Sequence, residues 1–283
     1  MQDLAGKTAV VTGAGSGIGR GIALALARSG TNIGLLDIEL HWAEETKQAV
    51  EALGVRAFAV AADVSDRPAL RGASDAVRAA LGPVHILCNN AGVGFRAPVH
   101  ETPDEIVDWL FAVNVIGVFN IVKAFIPAMI EQAQPGHMVV TASENALFEL
   151  PKHQNGVYCA TKMALMGLCA SMREELRPHN IGVTAFCPGL ANTNSRQSGR
   201  HRPERFGGPF DRADQKKDKI GMDPEDVGRV VVRAITDDAF IATSHPVSVR
   251  DHYLERNVQL LEAFDRWEQI IPELGISTQT AHL

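Results

Sequence analysis

The stretch Thr12-Gly13-Ala14-Gly15-Ser16-Gly17-Ile18-Gly19 follows an apolar run, Thr8–Thr12, and leads into a run of helical spacing that stops at Gly30. Glycine lets a backbone turn sharply and approach a phosphate closely. The helix behind such a turn aims free N–H groups and its positive end at the same point. Between a first strand and a first helix, the turn reads as a cradle for a dinucleotide pyrophosphate, with Gly13, Ser16, Gly17, Ile18 and Gly19 as the binding residues. Taken alone it would be an ordinary tight turn. It is not G-x-x-x-x-G-K-[ST], so a nucleoside-triphosphate loop is not indicated. Ile18 occupies the third-glycine position of G-x-G-x-x-G, and the pattern matched is T-G-x-x-x-G-x-G.

The rest of the chain keeps this alternation. Asn32–Asp37, Val55–Val60, Val84–Asn89, His137–Ala142 and Ile181–Cys187 are apolar runs of strand length, and His41–Leu53, Asp66–Leu81, Pro103–Glu131 and Val157–Arg177 have helical spacing. Strands that alternate with helices predict right-handed βαβ units and an α/β, doubly wound parallel sheet of Rossmann-like type. The rhythm breaks after Pro188. Residues 192–222 are rich in Gly, Pro and charge without a period, which predicts a structureless substrate lid. Helical spacing resumes at Pro224–Ile235, a short strand is expected near Phe240–Thr243, and a C-terminal helix over 249–271. One domain over 1–283 accounts for the pattern.

Composition excludes some classes. With 46% hydrophobic and 21% charged residues the chain is globular rather than disordered. A net charge of -6 argues against nucleic acid as the partner. Cys88, Cys159, Cys169 and Cys187 lie in apolar stretches without C-x-x-C spacing and are expected to be buried free thiols. The histidines lack H-E-x-x-H spacing, so no metal is expected. The N-terminus runs into a strand without a signal-peptide pattern, and no apolar run reads as long enough to span a bilayer. A cytoplasmic protein without a membrane partner is the expectation.

Asp37 ends the second strand. An acid there can accept hydrogen bonds from both hydroxyls of an adenosine ribose and would repel a 2′-phosphate. Ile38 rather than Arg follows it, and the glycine turn holds no Arg or Lys. NAD is therefore expected over NADP. The competing role for Asp37 is an N-cap of the next helix.

Thr12–Gly19, Asp63-Val64, Asn89-Asn90-Ala91-Gly92, Asn114, Ser143, Tyr158-x-x-x-Lys162 and Pro188-Gly189 follow one another in this order. Over about residues 5–193 the chain thereby resembles the short-chain dehydrogenase/reductase family. The resemblance implies that Asp63 and Val64 meet the adenine, that Asn90 and Gly92 lie beside the adenosine ribose, and that Pro188, Gly189 and Thr193 lie at the nicotinamide. It also implies that Tyr158 is the acid/base for the substrate oxygen, with Ser143 donating to that oxygen. Lys162 would hold the nicotinamide ribose, and Asn114 a water that links Lys162 to solvent. Chemistry agrees. Tyr158 and Lys162 are four apart on one helical face, and an ammonium beside a phenol lowers the phenol's pKa from its usual value near 10. The C-terminal part, with Arg202-Pro203-Glu204-Arg205-Phe206-Gly207, resembles bacterial members that oxidise the benzylic alcohol of lignin-derived aryl ethers.

The reaction expected is hydride transfer between a secondary alcohol and a ketone, on a bulky or aromatic substrate. A carbonyl reductase of another substrate class and a catalytically silent NAD-binding sensor are the alternatives. Glu144, Asn145, Leu147, His153, Leu190, Gly94 and Phe95 are the candidate substrate residues. Arg196, Arg200, Arg202, Arg205 and Arg212 of the lid read either as a solvated charged loop or as recognition of an acidic or aromatic substrate. The family pairs its long helices across a two-fold axis, so a homodimer is expected. The tetramer common in the family is less firmly implied, because the chain lacks the glycine-rich C-terminal strand ending. Replacing Asp37 with Arg is expected to move dinucleotide selectivity towards NADP. Steady-state kinetics with both dinucleotides checks this, and unchanged discrimination would refute the role.

Overall fold

The computed structural model describes residues 1–149, 151–193, 195–211 and 221–274. Seven strands form one sheet: β1 (Thr8–Thr12), β2 (Asn32–Asp37), β3 (Ala57–Ala61), β4 (Ile86–Asn89), β5 (Gly136–Thr141), β6 (Ile181–Phe186) and β7 (Ile241–Ala242). Their order is β3-β2-β1-β4-β5-β6-β7, every neighbouring pair parallel. The order reverses between β1 and β4, where an open α/β sheet leaves a crevice beyond its carboxyl ends.

The strands are buried on both faces, which is why they are near-continuous apolar runs. Alternate residues serve opposite layers. Val10, Leu36, Leu87 and Val140 belong to a core shared with α3 (Arg67–Leu81), α5 (Gly117–Glu131) and α6 (Gly156–Leu176). Val11, Leu35, Cys88 and Val139 belong to the core shared with α1 (Gly17–Arg28), α2 (Leu40–Glu51) and α7 (Pro224–Thr236). The four cysteines are buried and free. β3 starts two residues later than its apolar run, because Gly54 takes a positive φ of 87° and the Arg56 N–H is given to Asn32 Oδ1 at 3.0 Å.

Three expectations change. Pro103–Glu131 is not one regular helix: α4 (Asp104–Phe111) and α5 are joined by a π-turn at Ala112–Ile116 that carries Asn114. Length and composition alone would let Asp104–Glu131 cross a membrane, contrary to the reading above; more than half of its apolar window is buried inside the protein, and it packs as a core helix. Residues 192–222 are not structureless where described. Ser195–His201 and Glu204–Phe206 form 3₁₀ turns, and Ala191 bridges to Met222. Arg212 lies outside the described residues, and Arg196 is described in its backbone only. The chain divides into two compact units, Met1–Ser244 and a second that begins at His245. The second holds α8 (Pro246–Glu273), a few residues longer at each end than expected.

α1 and α7 touch backbone to backbone. A Cβ on Gly228 would stand 2.3 Å from the Gly21 carbonyl oxygen, and one on Gly21 would stand 1.9 Å from the Pro224 oxygen. Overpacking of this kind costs roughly 1–3 kcal/mol. Gly228→Ala is therefore expected to lower unfolding free energy by about 2 kcal/mol in urea titration. A change within about 0.5 kcal/mol, usual for substitutions away from such contacts, would contradict the packing.

Candidate active site

A cavity of about 710 Å³ opens at the switch point, within the roughly 300–1,000 Å³ usual for ligand sites. Gly13, Ser16, Gly17 and Ile18 of the glycine turn line it, as do Asp37, Asp63, Val64, Asn90, Gly92, Pro188, Gly189 and Thr193. Gly19 does not reach the cavity. It lies under the turn, where a Cβ would stand 2.0 Å from the Gly13 carbonyl oxygen. Gly17 has φ +53° and faces Thr193, whose Cβ would be 3.1 Å from a Gly17 Cβ. Asp37 is buried. Its Oδ2 accepts the Gly15 N–H at 2.8 Å and its Oδ1 the Glu39 N–H at 3.0 Å. Burial raises its pKa, and the two backbone donors oppose that rise. Since α2 is capped at Glu39, Asp37 is a cleft acid rather than the cap itself. Bare glycine backbone, a helix N-terminus and a buried carboxylate fit a nicotinamide dinucleotide.

Short hydrogen bonds hold the strand ends that carry the site. Thr12 Oγ1 accepts the N–H groups of Asn90 and Ala91 at 3.0 and 2.9 Å. Asn90 Nδ2 donates to the Thr12 carbonyl at 3.1 Å, and Thr141 Oγ1 donates to Asn90 Oδ1 at 3.2 Å. Asn90 therefore ties β1, β4 and β5 together, and Thr12 and Thr141 are positioning residues that sequence reasoning missed. Asn114 is likewise committed. Its Oδ1 accepts the Val93 N–H at 2.8 Å, and its Nδ2 donates to the Val93 carbonyl at 2.9 Å and to Thr161 Oγ1 at 3.1 Å. The side chain fixes the Asn90–Gly94 loop against α6.

Ser143, Tyr158 and Lys162 line one wall. Ser143 hydrogen-bonds Tyr158, and its Oγ accepts the Asn145 N–H at 3.2 Å. Lys162 is buried, donates to the Thr141 carbonyl at 2.9 Å, and stands 5.7 Å from the centre of the Tyr158 ring. The expected lowering of the phenol is not present in the protein alone. Burial pushes Tyr158 up to about 12, against the Ser143 hydrogen bond. Burial also brings Lys162 down to about 8.

On the substrate side, Gly94, Phe95, Glu144, Asn145 and Leu190 line the cavity. Leu147 and His153 do not: Leu147 packs on the core, and His153 stands outside the lining with its pKa lowered by burial, Arg96 and Lys152. Arg96, Trp109 and Asn155 also line the cavity and were missed. Asn145 Nδ2 is buried without a hydrogen-bond partner among the described residues, while Asn145 Oδ1 accepts from Asn155 at 3.3 Å. The described lid arginines are engaged within the protein: Arg200 lies over Trp42, Arg202 over Phe210, and Arg205 on Asp63.

The short chain dehydrogenase family model matches residues 7–204. The C alpha-dehydrogenase of Sphingobium sp. (strain NBRC 103272 / SYK-6) is 29% identical over 269 residues, which is 92% of this chain and 87% of that protein. A short chain dehydrogenase/reductase from Burkholderia phymatum, solved in complex with NAD, is similar with a TM-score of 0.81 and 29% identity over 100% of both chains. The apo form of LigO from Sphingobium sp. strain SYK-6 is similar with a TM-score of 0.78 and 33% identity, over 99% of this chain and 100% of that one.

The Lys162 shift has a consequence for stability. The unfolded amine titrates near 10.5 and the folded one near 8. Below pH 8 both are protonated, and the folded state bears the full cost of a buried ammonium. Between 8 and 10.5 the folded state releases its proton first, so stability rises with pH. The unfolding free energy of Lys162→Met minus that of wild type is expected to fall by about 2 kcal/mol across this window. Urea titration at several pH values checks it, and a difference independent of pH would contradict it.

Proposed function

From the premise that the chain belongs to the short chain dehydrogenase family, we propose that it is an NAD-dependent oxidoreductase interconverting a secondary alcohol and a ketone, with Tyr158 as the acid/base. The observation that carries this reading is the convergence of Ser143, Tyr158 and Lys162 on one wall of the cleft that the glycine turn opens. Nicotinamide, when bound, supplies the hydride acceptor or donor.

The residues of this chain would do the rest. Removing a hydride from a carbinol carbon leaves a proton on its oxygen, and the Tyr158 oxygen takes it. Ser143 donates to the same oxygen while charge changes there. Lys162, tethered to the Thr141 carbonyl, supplies positive charge at the Tyr158 ring. Burial pushes the phenol up to about 12, and a bound nicotinium would add positive charge to that of Lys162 and so favour the phenolate form of Tyr158. In the reverse direction Tyr158 returns the proton.

The buried Asp37 carboxylate, set on the glycine turn, supports NAD over NADP. Phe95, Trp109, Val113 and Leu190 on the wall support a bulky or aromatic substrate, as does the likeness to a C alpha-dehydrogenase. The unpartnered Asn145 donor, two residues from Ser143, supports a substrate with a hydrogen-bond acceptor beside the carbinol. Exposed Phe111, Ile116 and Phe119 along the Asp104–Glu131 helix support a homodimer formed through that face. Tyr158→Phe is expected to lower kcat for aromatic secondary alcohols by roughly a thousand-fold and to leave NADH binding intact. NADH absorbance and fluorescence titration check the two arms. Near-normal turnover in that variant would break the mechanism.

A further inference from the structure

The segment after β6 was expected to serve the substrate. Its described side chains also reach the opposite end of the cleft, the end built by Asp37, Glu39, Trp42 and Asp63. We propose that residues 198–206 are a clamp on the adenosine half of the dinucleotide, with Arg200, His201 and Arg205 as its holding residues. The inference rests on reading the cleft as a dinucleotide site.

Trp42 packs on the glycine turn: its Cβ would be 2.6 Å from a Cβ on Gly15, beside Asp37 Oδ2 at 2.9 Å. The Arg200 guanidinium lies 4.7 Å over the Trp42 ring, and the His201 ring meets that ring edge-on at 4.9 Å. Arg200 Nε, an obligate donor, gives its hydrogen to His201 Nε2 at 2.7 Å. That leaves Nδ1–H of His201 to donate to Glu39 Oε1 at 2.8 Å. Farther along, one Arg205 nitrogen donates to Asp63 Oδ2 at 2.6 Å and to Ser65 Oγ at 2.7 Å. Arg200, His201 and Pro203 line the cavity, together with Asp37 and Asp63.

Charge gives the arrangement its purpose. The loops after β2 and β3 set Asp37, Glu39 and Asp63 around the place a dinucleotide's adenosine would occupy, and these acids would repel an approaching pyrophosphate. Arg200 and Arg205 offset that charge and cover the opening. The segment is also held at the other end of the cleft. Gly94 N–H donates to Ser198 Oγ at 3.4 Å, and Phe210 meets Phe95 and Trp109 edge-on at 5.9 and 6.1 Å. A dinucleotide beneath it leaves only after the Arg205 and His201 contacts part. Each contact is partly exposed, so each is worth a modest factor, and their joint loss a larger one.

The test is stopped-flow release of NADH from the full chain, with equilibrium binding of NADH and ADP-ribose, in wild type, Arg205→Ala and Arg200→Ala/His201→Ala. The expected result is release faster by about five-fold in the first variant and about ten-fold or more in the second. ADP-ribose affinity should weaken in parallel, and kcat/KM for the alcohol at saturating NAD should stay near wild type. Unchanged release and ADP-ribose affinity in both variants would overturn the clamp while leaving the dinucleotide reading intact. So would tighter binding in Arg205→Ala, which would make Arg205 a competitor of adenine for Asp63. Failure of wild type to bind NADH would overturn the dinucleotide reading and the clamp with it.

Discussion

Lys162 sits where an ammonium is costly. It is buried, it gives a hydrogen bond to the Thr141 carbonyl, and its side is fixed by α6, whose Cys169 and Leu165 pack in the core below the sheet. The cost shows as a pKa drawn down to about 8. A stability-optimised core would place Met or Leu at such a position. Keeping an amine there makes sense if its charge is used on a neighbouring group, and the group within reach is the Tyr158 ring. Burial holds the phenol up at about 12 in the protein alone, and on the proposed mechanism further positive charge in the cleft would favour its phenolate form. On the proposed mechanism, acid/base competence of Tyr158 is coupled to occupancy of the cleft.

The strand order explains why these groups meet at all. Thr12 ends β1, Asn89 ends β4 and Thr141 ends β5, and these three strands are neighbours. The Thr12–Asn90–Thr141 hydrogen bonds lock the three ends together, and Lys162 hangs from the last of them. From the other side, Asn114 in its π-turn ties Val93 to Thr161, one residue from Lys162. A π-turn frees local backbone geometry and often marks a functional place in a helix. Here it turns an amide towards two elements that a regular helix would not bridge.

Much of this was legible in the residues. Thr8–Thr12 and Asn32–Asp37 are strands with the boundaries their apolar runs suggest, since a parallel strand buried on both faces must be apolar along its length. The glycine turn and the Tyr158/Lys162 pair stand out because local spacing sets their geometry, whereas Ser143 was reached only through the resemblance to a family. The π-turn was not legible, because Ala-Val-Asn-Val-Ile has the same apolar rhythm as an α-helix. Nor were the partners of Arg200, His201 and Arg205: hydrogen bonds between residues 142 or 162 positions apart leave no local period. The burial of Tyr158 was not legible either, because spacing reports the nearby amine and not the loss of water around the phenol.

That coupling can be measured on the phenol itself. The chain has two tyrosines, so Tyr253→Phe leaves Tyr158 as the single source of tyrosinate absorbance. Titrated without dinucleotide, the phenol should stay protonated until the approach to about 12. Titrated with saturating NAD, its midpoint should fall by about two units or more. A midpoint that is the same in both titrations would contradict the account.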